Sequence, residues 1–184
     1  MRLTLQRHGE SQGTAAKAVE VELAWPVPGT LALTYVVTGD VAALKLPVAA
    51  AGGRTDELWK HTCLEAFVGG ADEEVYYEFN LAPSSQWAAY GFSGYREGMA
   101  PLKPFDDPGV SVEATADRLV QRATLDLSDL PGLRPDAHWR LALTAVIEQR
   151  DGLKSYWALA HPAGRPDFHH ADGFSQILTP AERA

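Results

Sequence analysis

The sequence contains a single cysteine, Cys63, among its 184 residues. An intrachain disulfide and a multi-cysteine zinc or iron–sulfur site are therefore excluded. Positive charge is also scarce, because 16 Lys and Arg stand against 24 Asp and Glu, and the net charge is −8. Nucleic acids and anionic membranes both attract clustered basic residues, so we expect neither as a partner. The sequence does not indicate an oligomeric state.

Long apolar runs are missing as well. No run approaches the ~18 residues that a membrane-spanning helix requires. In the N-terminal stretch 1–10, charged residues come before an apolar signal-peptide core can form. Together with the lone cysteine, this leads us to expect a cytoplasmic protein.

Alternation of apolar and polar residues dominates what remains. Hydrophobic residues make up 46% of the chain and charged residues 22%, an ordinary globular composition. The clearest alternation lies at 19–25, 31–38 and 139–147, and a period of two indicates strands with one buried face. About ten such strands and no long amphipathic helix predict one all-β domain, 1–184. We expect an antiparallel β-sandwich of the jelly-roll or immunoglobulin-like type.

A short motif near the N-terminus, Arg7-His8-Gly9, resembles the phosphate-binding motif of the histidine phosphatase superfamily. In that family the histidine becomes the phosphorylated nucleophile. The chemistry also needs a second histidine, usually followed by glycine, and an α/β frame. No His-Gly follows position 9, and the next segments predict strands. A phosphatase is therefore a minor alternative.

Three blocks carry a broader resemblance: 56–99, 146–162 and 166–170. They include the runs Thr62-Cys63-Leu64-Glu65-Ala66-Phe67, Tyr76-Tyr77-Glu78-Phe79-Asn80, Gly94-Tyr95-Arg96, Ser155-Tyr156-Trp157 and Pro166-Asp167-Phe168-His169-His170. Over about 17–180 the chain resembles the DOMON-like β-sandwich superfamily, close to family 9 carbohydrate-binding modules. The nearest branch is associated with UDP-N-acetylenolpyruvoylglucosamine reductase. The resemblance implies a sandwich of roughly ten strands; members of this superfamily bind sugars, bind haem or have no assigned ligand.

The same resemblance implies a sugar site that contains Glu65 and Arg96. Trp59, at a junction between loop and strand, is the best candidate for a flat platform under a sugar ring. Residues of types that stack on sugars or bond hydroxyls complete the predicted ligand-binding set: Trp59, Glu65, Glu78, Asn80, Trp87 and Arg96. Core packing of the tryptophans and a structural salt bridge to the glutamates are the alternatives. We expect a non-catalytic domain that binds a carbohydrate or a cell-wall-precursor-like ligand.

Other readings stay open beside this one. No cofactor is expected, although haem could take Met99 and a histidine as axial ligands. The haem candidates among the histidines are His61, His161, His169 and His170. A metal site has weak candidates in the C-terminal loop: Asp167, His169, His170 and Asp172. Calcium could use the acidic loops 72–74 or 106–107. A structural domain that binds a protein partner is a further alternative. For an enzyme, Glu65 with Glu78 is the carboxyl pair to test.

Overall fold

The computed structural model describes residues 1–183 and confirms the all-β prediction. Thirteen strands and four short 3-10 helices make up the regular structure of these residues. The strands are β1 (Arg2–Arg7), β2 (Ala16–Ala24), β3 (Thr30–Gly39), β4 (Gly53–Arg54), β5 (Cys63–Gly70), β6 (Tyr76–Leu81), β7 (Gln86–Phe92), β8 (Ala100–Pro101), β9 (Ser111–Ala114), β10 (Arg118–Asp126), β11 (Trp139–Glu148), β12 (Lys154–Ala158) and β13 (Gln176–Leu178). The 3-10 helices are Val41–Ala43, Leu58–Lys60, Ala171–Gly173 and Pro180–Arg183. No helix of the described residues is long and apolar enough to cross a membrane.

The strands form one continuous path in the order β4-β7-β6-β5-β11-β12-β1-β2-β3-β10-β9, with β13 beside β11 and β8 beside β7. Strand β1 links the two halves of this path. It pairs with β2 through residues 2–5 and with β12 through Gln6 and Arg7. Every pair is antiparallel except β4 with β7, which is parallel. The purely antiparallel prediction is therefore wrong for this pair, where two residues at the sheet edge run alongside their neighbour.

The two ends of the path curl to face each other across the main core. The Tyr35 hydroxyl on β3 donates to the carbonyl of Glu65 on β5 at 2.6 Å. On the next pair, the Gln121 amide on β10 donates to the carbonyl of Leu81 on β6 at 2.9 Å. Both bonds are buried, and each ties one end of the path to the other across the core. The curl is consistent with the predicted sandwich.

Alternate residues of the strands fill the main core, as the period of two predicts. On β11 the sequence Leu141, Leu143, Ala145, Ile147 lies on one face and is fully buried. Burying a side chain of this size stabilises the fold by roughly 1.5–3 kcal/mol. Trp139 packs at the start of the same row. The main core therefore holds the two layers together.

Strands β5 and β6 are buried on both faces, although only one face meets the main core. We call the other face, shared with β7, β11 and β12, the outer face. Segments 93–99 and 162–174 and the 3-10 helix Leu58–Lys60 lie over it. A second apolar cluster forms there: Phe67, Tyr76, Ala88, Tyr90, Phe92, Ala142 and Phe174. Because loops rather than strands cover this face, they leave a pocket above it.

Candidate functional site

The pocket on the outer face has a volume of about 340 Å³, within the range of small-molecule sites. Strands supply its floor, and the covering loops supply its rim. Its lining consists of Trp59, Glu65, Phe67, Glu78, Phe92, Arg96, Met99, Val146, Tyr156, Pro166, Phe168 and His169. Six of these side chains carry aromatic rings. The polar side chains of the lining, Glu65, Glu78, Arg96 and His169, can orient a bound ligand.

Sheet register brings two carboxyl groups together on the floor. Glu65 on β5 pairs with Asn80 on β6, and Glu78 pairs with Phe67, so the two glutamates are diagonal neighbours on one face. The Cβ atoms of such neighbours lie within about 7–8 Å of each other. Two buried acids in one pocket interact strongly, because little water lies between them.

Glu65 is the deeper acid, with 2% of its surface exposed. Its Oε2 accepts from the Thr144 hydroxyl at 3.0 Å. Its Oε1 is buried and has no hydrogen-bond partner among the described residues. Desolvation and the charge of Glu78 raise the pKa of Glu65 to about 8. Near neutral pH this side chain is therefore mostly a neutral acid that can both donate and accept.

Glu78 is held by the residue two positions further along its strand. The amide of Asn80, itself fully buried, donates to Oε1 of Glu78 at 2.7 Å. Burial raises the pKa of Glu78 to about 7, and this amide and the positive charge of Arg96 work against the rise. The Cys63 thiol is directed at Oδ1 of Asn80, 3.6 Å away. Burial and Glu65 raise the pKa of that thiol, which keeps it protonated and unreactive.

A chain of hydrogen bonds orients His169 over Glu78. The backbone N–H of Arg96 donates to the Tyr76 hydroxyl at 3.2 Å. Tyr76 can then donate to Nδ1 of His169, 2.8 Å away, which assigns the ring hydrogen to Nε2. Nε2 lies 3.8 Å from Oε2 of Glu78. Burial and the nearby Arg96 lower the pKa of His169 to about 4, so the ring is neutral near pH ~7.

One rim of the pocket is tied together by Asp167. Its Oδ1 accepts from the Arg96 guanidinium at 2.7 Å and from the backbone N–H of His169 at 3.1 Å. Its Oδ2 accepts from the Tyr95 hydroxyl. Burial opposes ionisation, yet these bonds hold the pKa of Asp167 below its usual value. Arg96 has a φ of 57°, a left-handed conformation uncommon outside glycine, that places it between the two loops.

The opposite rim is formed by Trp59 in the 3-10 helix Leu58–Lys60. The half-buried indole meets the ring of Tyr90 edge to face, with centroids 6.0 Å apart. Tyr90 is in turn fixed because its hydroxyl donates to Asp56 at 2.6 Å. Trp59 therefore has a supported position beside the pocket and keeps part of its surface free to contact a ligand.

The structure brings together four of the six predicted ligand-binding residues: Trp59, Glu65, Glu78 and Arg96 all line the pocket. Asn80 lies behind the lining and supports Glu78. Trp87 lies on the opposite face of β7, packed in the main core with its ring 5.8 Å from Phe105. Phe67, Phe92, Tyr156 and Phe168 also line the pocket and were not among the predicted residues. Phe67 is two positions from Glu65, so strand periodicity was the signal that could have found it.

The predicted metal-binding loop uses its polar groups within the protein. Besides Asp167 and His169, whose bonds are given above, His170 accepts from the backbone N–H of Asp172 through Nδ1 at 3.2 Å. In residues 1–183, no group of three or more His, Cys, Asp or Glu side chains is arranged to hold a metal ion. For haem, Met99 and His169 both line the pocket.

The phosphatase motif is part of a loop that binds its own backbone. The Arg7 guanidinium donates to the carbonyls of Ser11 and Gly13 at 2.7 and 2.9 Å. His8 is buried, and its Nδ1 accepts from the backbone N–H of Glu10 at 3.1 Å. The strands around this loop form a β-sheet and not the α/β frame that phosphoryl transfer in that family needs. The phosphatase alternative is therefore not supported.

Comparison with known proteins gives likenesses in structure. No family model and no curated protein matches the chain. A candidate carbohydrate-binding protein from Bacteroides uniformis superposes with a TM-score of 0.63 at 14% identity, over 94% of this chain and 83% of the other. A family 9 carbohydrate-binding module from Caldicellulosiruptor kristjanssonii, in complex with glucose, gives 0.48 at 11% identity, over 87% and 75%. Its complex with cellotriose gives 0.48 at 12% identity, over 87% and 74%.

The first of these likenesses shows that the chain shares its fold with the Bacteroides uniformis protein. Fold and site together define a β-sheet protein with a small aromatic pocket, floored by two buried carboxyl groups, on the outer face of one sheet layer.

Proposed function

We propose that this protein binds a carbohydrate without transforming it, and that the pocket holds one sugar unit. The observation that carries the proposal is the buried Oε1 of Glu65, which lacks a partner although Glu65 lines the pocket. Buried polar atoms are nearly always hydrogen-bonded, so a ligand hydroxyl is the expected partner. The shared fold with a candidate carbohydrate-binding protein supports the same ligand class.

The lining fits the two kinds of surface that a sugar presents. The rings of Trp59, Phe92 and Tyr156 offer apolar area to the C–H patches of a pyranose. Glu65, as a neutral acid, can donate one hydrogen bond to a hydroxyl and accept another. Glu78 and Arg96 add an acceptor and a set of donors, which together select the orientation of the ring.

The finer ligand class follows the resemblance to the DOMON-like superfamily. We propose that the physiological ligand is a saccharide or a cell-wall-precursor-like compound with an accessible terminal sugar. The pocket volume of about 340 Å³ admits one unit and leaves further units at the rim. A protein partner instead of a sugar is the outcome that the experiment below would favour if every saccharide fails.

The test is a titration of the full chain with monosaccharides, oligosaccharides, amino sugars and cell-wall fragments, followed by tryptophan fluorescence and calorimetry. Saturable binding should be lost in Trp59→Ala, while far-UV circular dichroism confirms that the variant is folded. Trp25→Ala is the matched control, because Trp25 is also partly buried but packs against the main core. Its affinity should be unchanged. Absence of binding across the whole panel would contradict the proposal.

A further inference from the structure

The floor of the pocket carries two acidic groups that have no cation bonded to them. Arg96 is the one Lys or Arg among the described residues of the lining, and its guanidinium is bonded to Asp167. His169 could carry a positive charge beside Glu78, since its Nε2 lies 3.8 Å from Oε2 of Glu78. Its lowered pKa keeps the ring neutral, however. Glu65 and Glu78 therefore face each other and the pocket with no ion pair of their own, although the charge of Arg96 acts on Glu78 from a distance.

Buried carboxyl groups with a purely structural role normally find their cations or hydrogen-bond donors within the protein. Removing an ionised carboxylate from water is strongly unfavourable unless a cation or several donors replace the water. Glu78 has one such donor, from Asn80, and Glu65 has the Thr144 hydroxyl together with the Cys63 thiol, which is a weak donor. Oε1 of Glu65 still has no hydrogen-bond partner among the described residues. The arrangement is therefore incomplete on the side that faces the pocket.

A ligand ammonium group fits this gap better than a metal ion does. An ammonium has three hydrogens, enough to donate to Oε1 of Glu65 and to Oε2 of Glu78 at once. A metal ion would need more ligands, and the described residues hold no group of three His, Cys, Asp or Glu side chains around this position. Ammonium binding would also favour ionisation of both acids, because an opposite charge lies beside them.

We propose that the saccharide bound here carries a free amino group, which lies between Glu65 and Glu78 on the floor of the pocket. The inference rests on the proposed function and names its substrate class. The sugar ring then lies against Trp59 at the rim, and the charged group reaches the floor. An N-acetylated sugar lacks the charge and adds bulk where the two carboxyl groups meet.

The experiment compares D-glucosamine, D-glucose and N-acetyl-D-glucosamine as ligands of the full chain near neutral pH, by calorimetry. Glucosamine should bind at least about tenfold more tightly than glucose, as expected for a buried charge pair. N-acetylglucosamine should not show this preference. Glu65→Gln and Glu78→Gln should each bring the ratio of glucosamine to glucose affinity close to one. Glu113→Gln, at an exposed residue of β9, is the matched control and should leave the ratio unchanged.

The outcomes separate the two proposals. Equal affinity for glucosamine and glucose, or tighter binding of glucose, would overturn the amino-sugar inference and leave carbohydrate binding supported. Failure of all three sugars to bind would overturn the inference, and failure of the wider saccharide panel would overturn the proposed function too. A preference for glucosamine that survives in both glutamine variants would also overturn the inference, since the charge would then be recognised elsewhere.

Discussion

At the scale of single residues, Glu65 makes stability depend on pH in an unusual direction. Its pKa is about 8 in the folded chain against an ordinary value of 4.5, so the folded state holds a proton that the unfolded state releases. Stability contributed by a raised pKa of this kind falls as pH rises between those two values. We predict that the free energy of unfolding falls from pH 4.5 toward pH 8. Urea unfolding across this range measures it.

The Glu65→Gln variant tests whether Glu65 causes this pH dependence of the free energy of unfolding. The neutral amide keeps the shape and removes the ionisation, so the variant should be more stable than the parent near pH 8. We expect a gain of at least about 1 kcal/mol there, comparable to the cost of a buried unsatisfied charge. Glu113→Gln, exposed on β9, should track the parent. A decline of the same slope in Glu65→Gln would show that other groups cause it.

The location of some predicted site residues agrees with the structure, while their role in binding a sugar stays a prediction. Glu65 and Arg96 came from the family resemblance, and both line the pocket. Trp87 shows the limit, because aromatic type alone does not say which face of β7 a residue occupies. Tyr90, three positions later, lies on the outer face while Trp87 lies in the main core. Side chains alternate between the two faces of a strand, and only the pairing register shows which alternate set faces the main core.

At the scale of elements, the segment 162–174 acts as a strap over the outer face. Asp167 ties it to the neighbouring loop through Arg96 and Tyr95, and Phe174 packs into the second apolar cluster. We predict that Asp167→Asn loosens this strap and weakens saccharide binding. Stability should change by less than about 1 kcal/mol, because partly exposed ion pairs contribute little. Hydrogen exchange should speed up over 93–98 and 162–170.

The matched control for this change is Asp136→Asn, which breaks the exposed pair of Asp136 with Arg134. It should leave both the exchange rates of the strap and ligand affinity unchanged. Unaltered exchange in Asp167→Asn would mean that packing of Phe168 and Phe174, and not the ion pair, holds the strap. The strap itself was not predictable as an element, because its sequence reads as a loop and its contacts are distant along the chain.

At the scale of the whole molecule, the all-β class was predictable and the closure of the sheet was not. Local alternation is enough to identify strands, because it records which side chains are buried. Pairing is different, since β1 bonds to β12 about 150 residues later in the chain, and nothing local in 2–7 indicates that partner. The sequence predicts no more here than the end of an exposed strand next to the Arg7-His8-Gly9 motif. The structure makes it the strand that connects the two layers.

That role of β1 leads to a prediction about cooperativity. Leu5 is buried in the main core at the point where β1 passes from β2 to β12, so truncating it weakens both layers together. We predict that Leu5→Ala lowers the free energy of unfolding by about 2–5 kcal/mol. Tryptophan fluorescence and far-UV circular dichroism should give one shared transition at a lower midpoint. Leu153→Ala, at a more exposed leucine in the hairpin before β12, should shift it little.

Separate transitions in the two signals would contradict this view of β1. They would mean that the layer of β2, β3, β9 and β10 unfolds independently of the layer that carries the pocket. The buried bonds from Tyr35 to Glu65 and from Gln121 to Leu81 argue against independence, because each ties one layer to the other across the core. Glu65 is both the anchor of such a bond, through its carbonyl, and the floor of the pocket, through its carboxyl. Ligand binding should therefore raise the midpoint of the single transition for the whole chain.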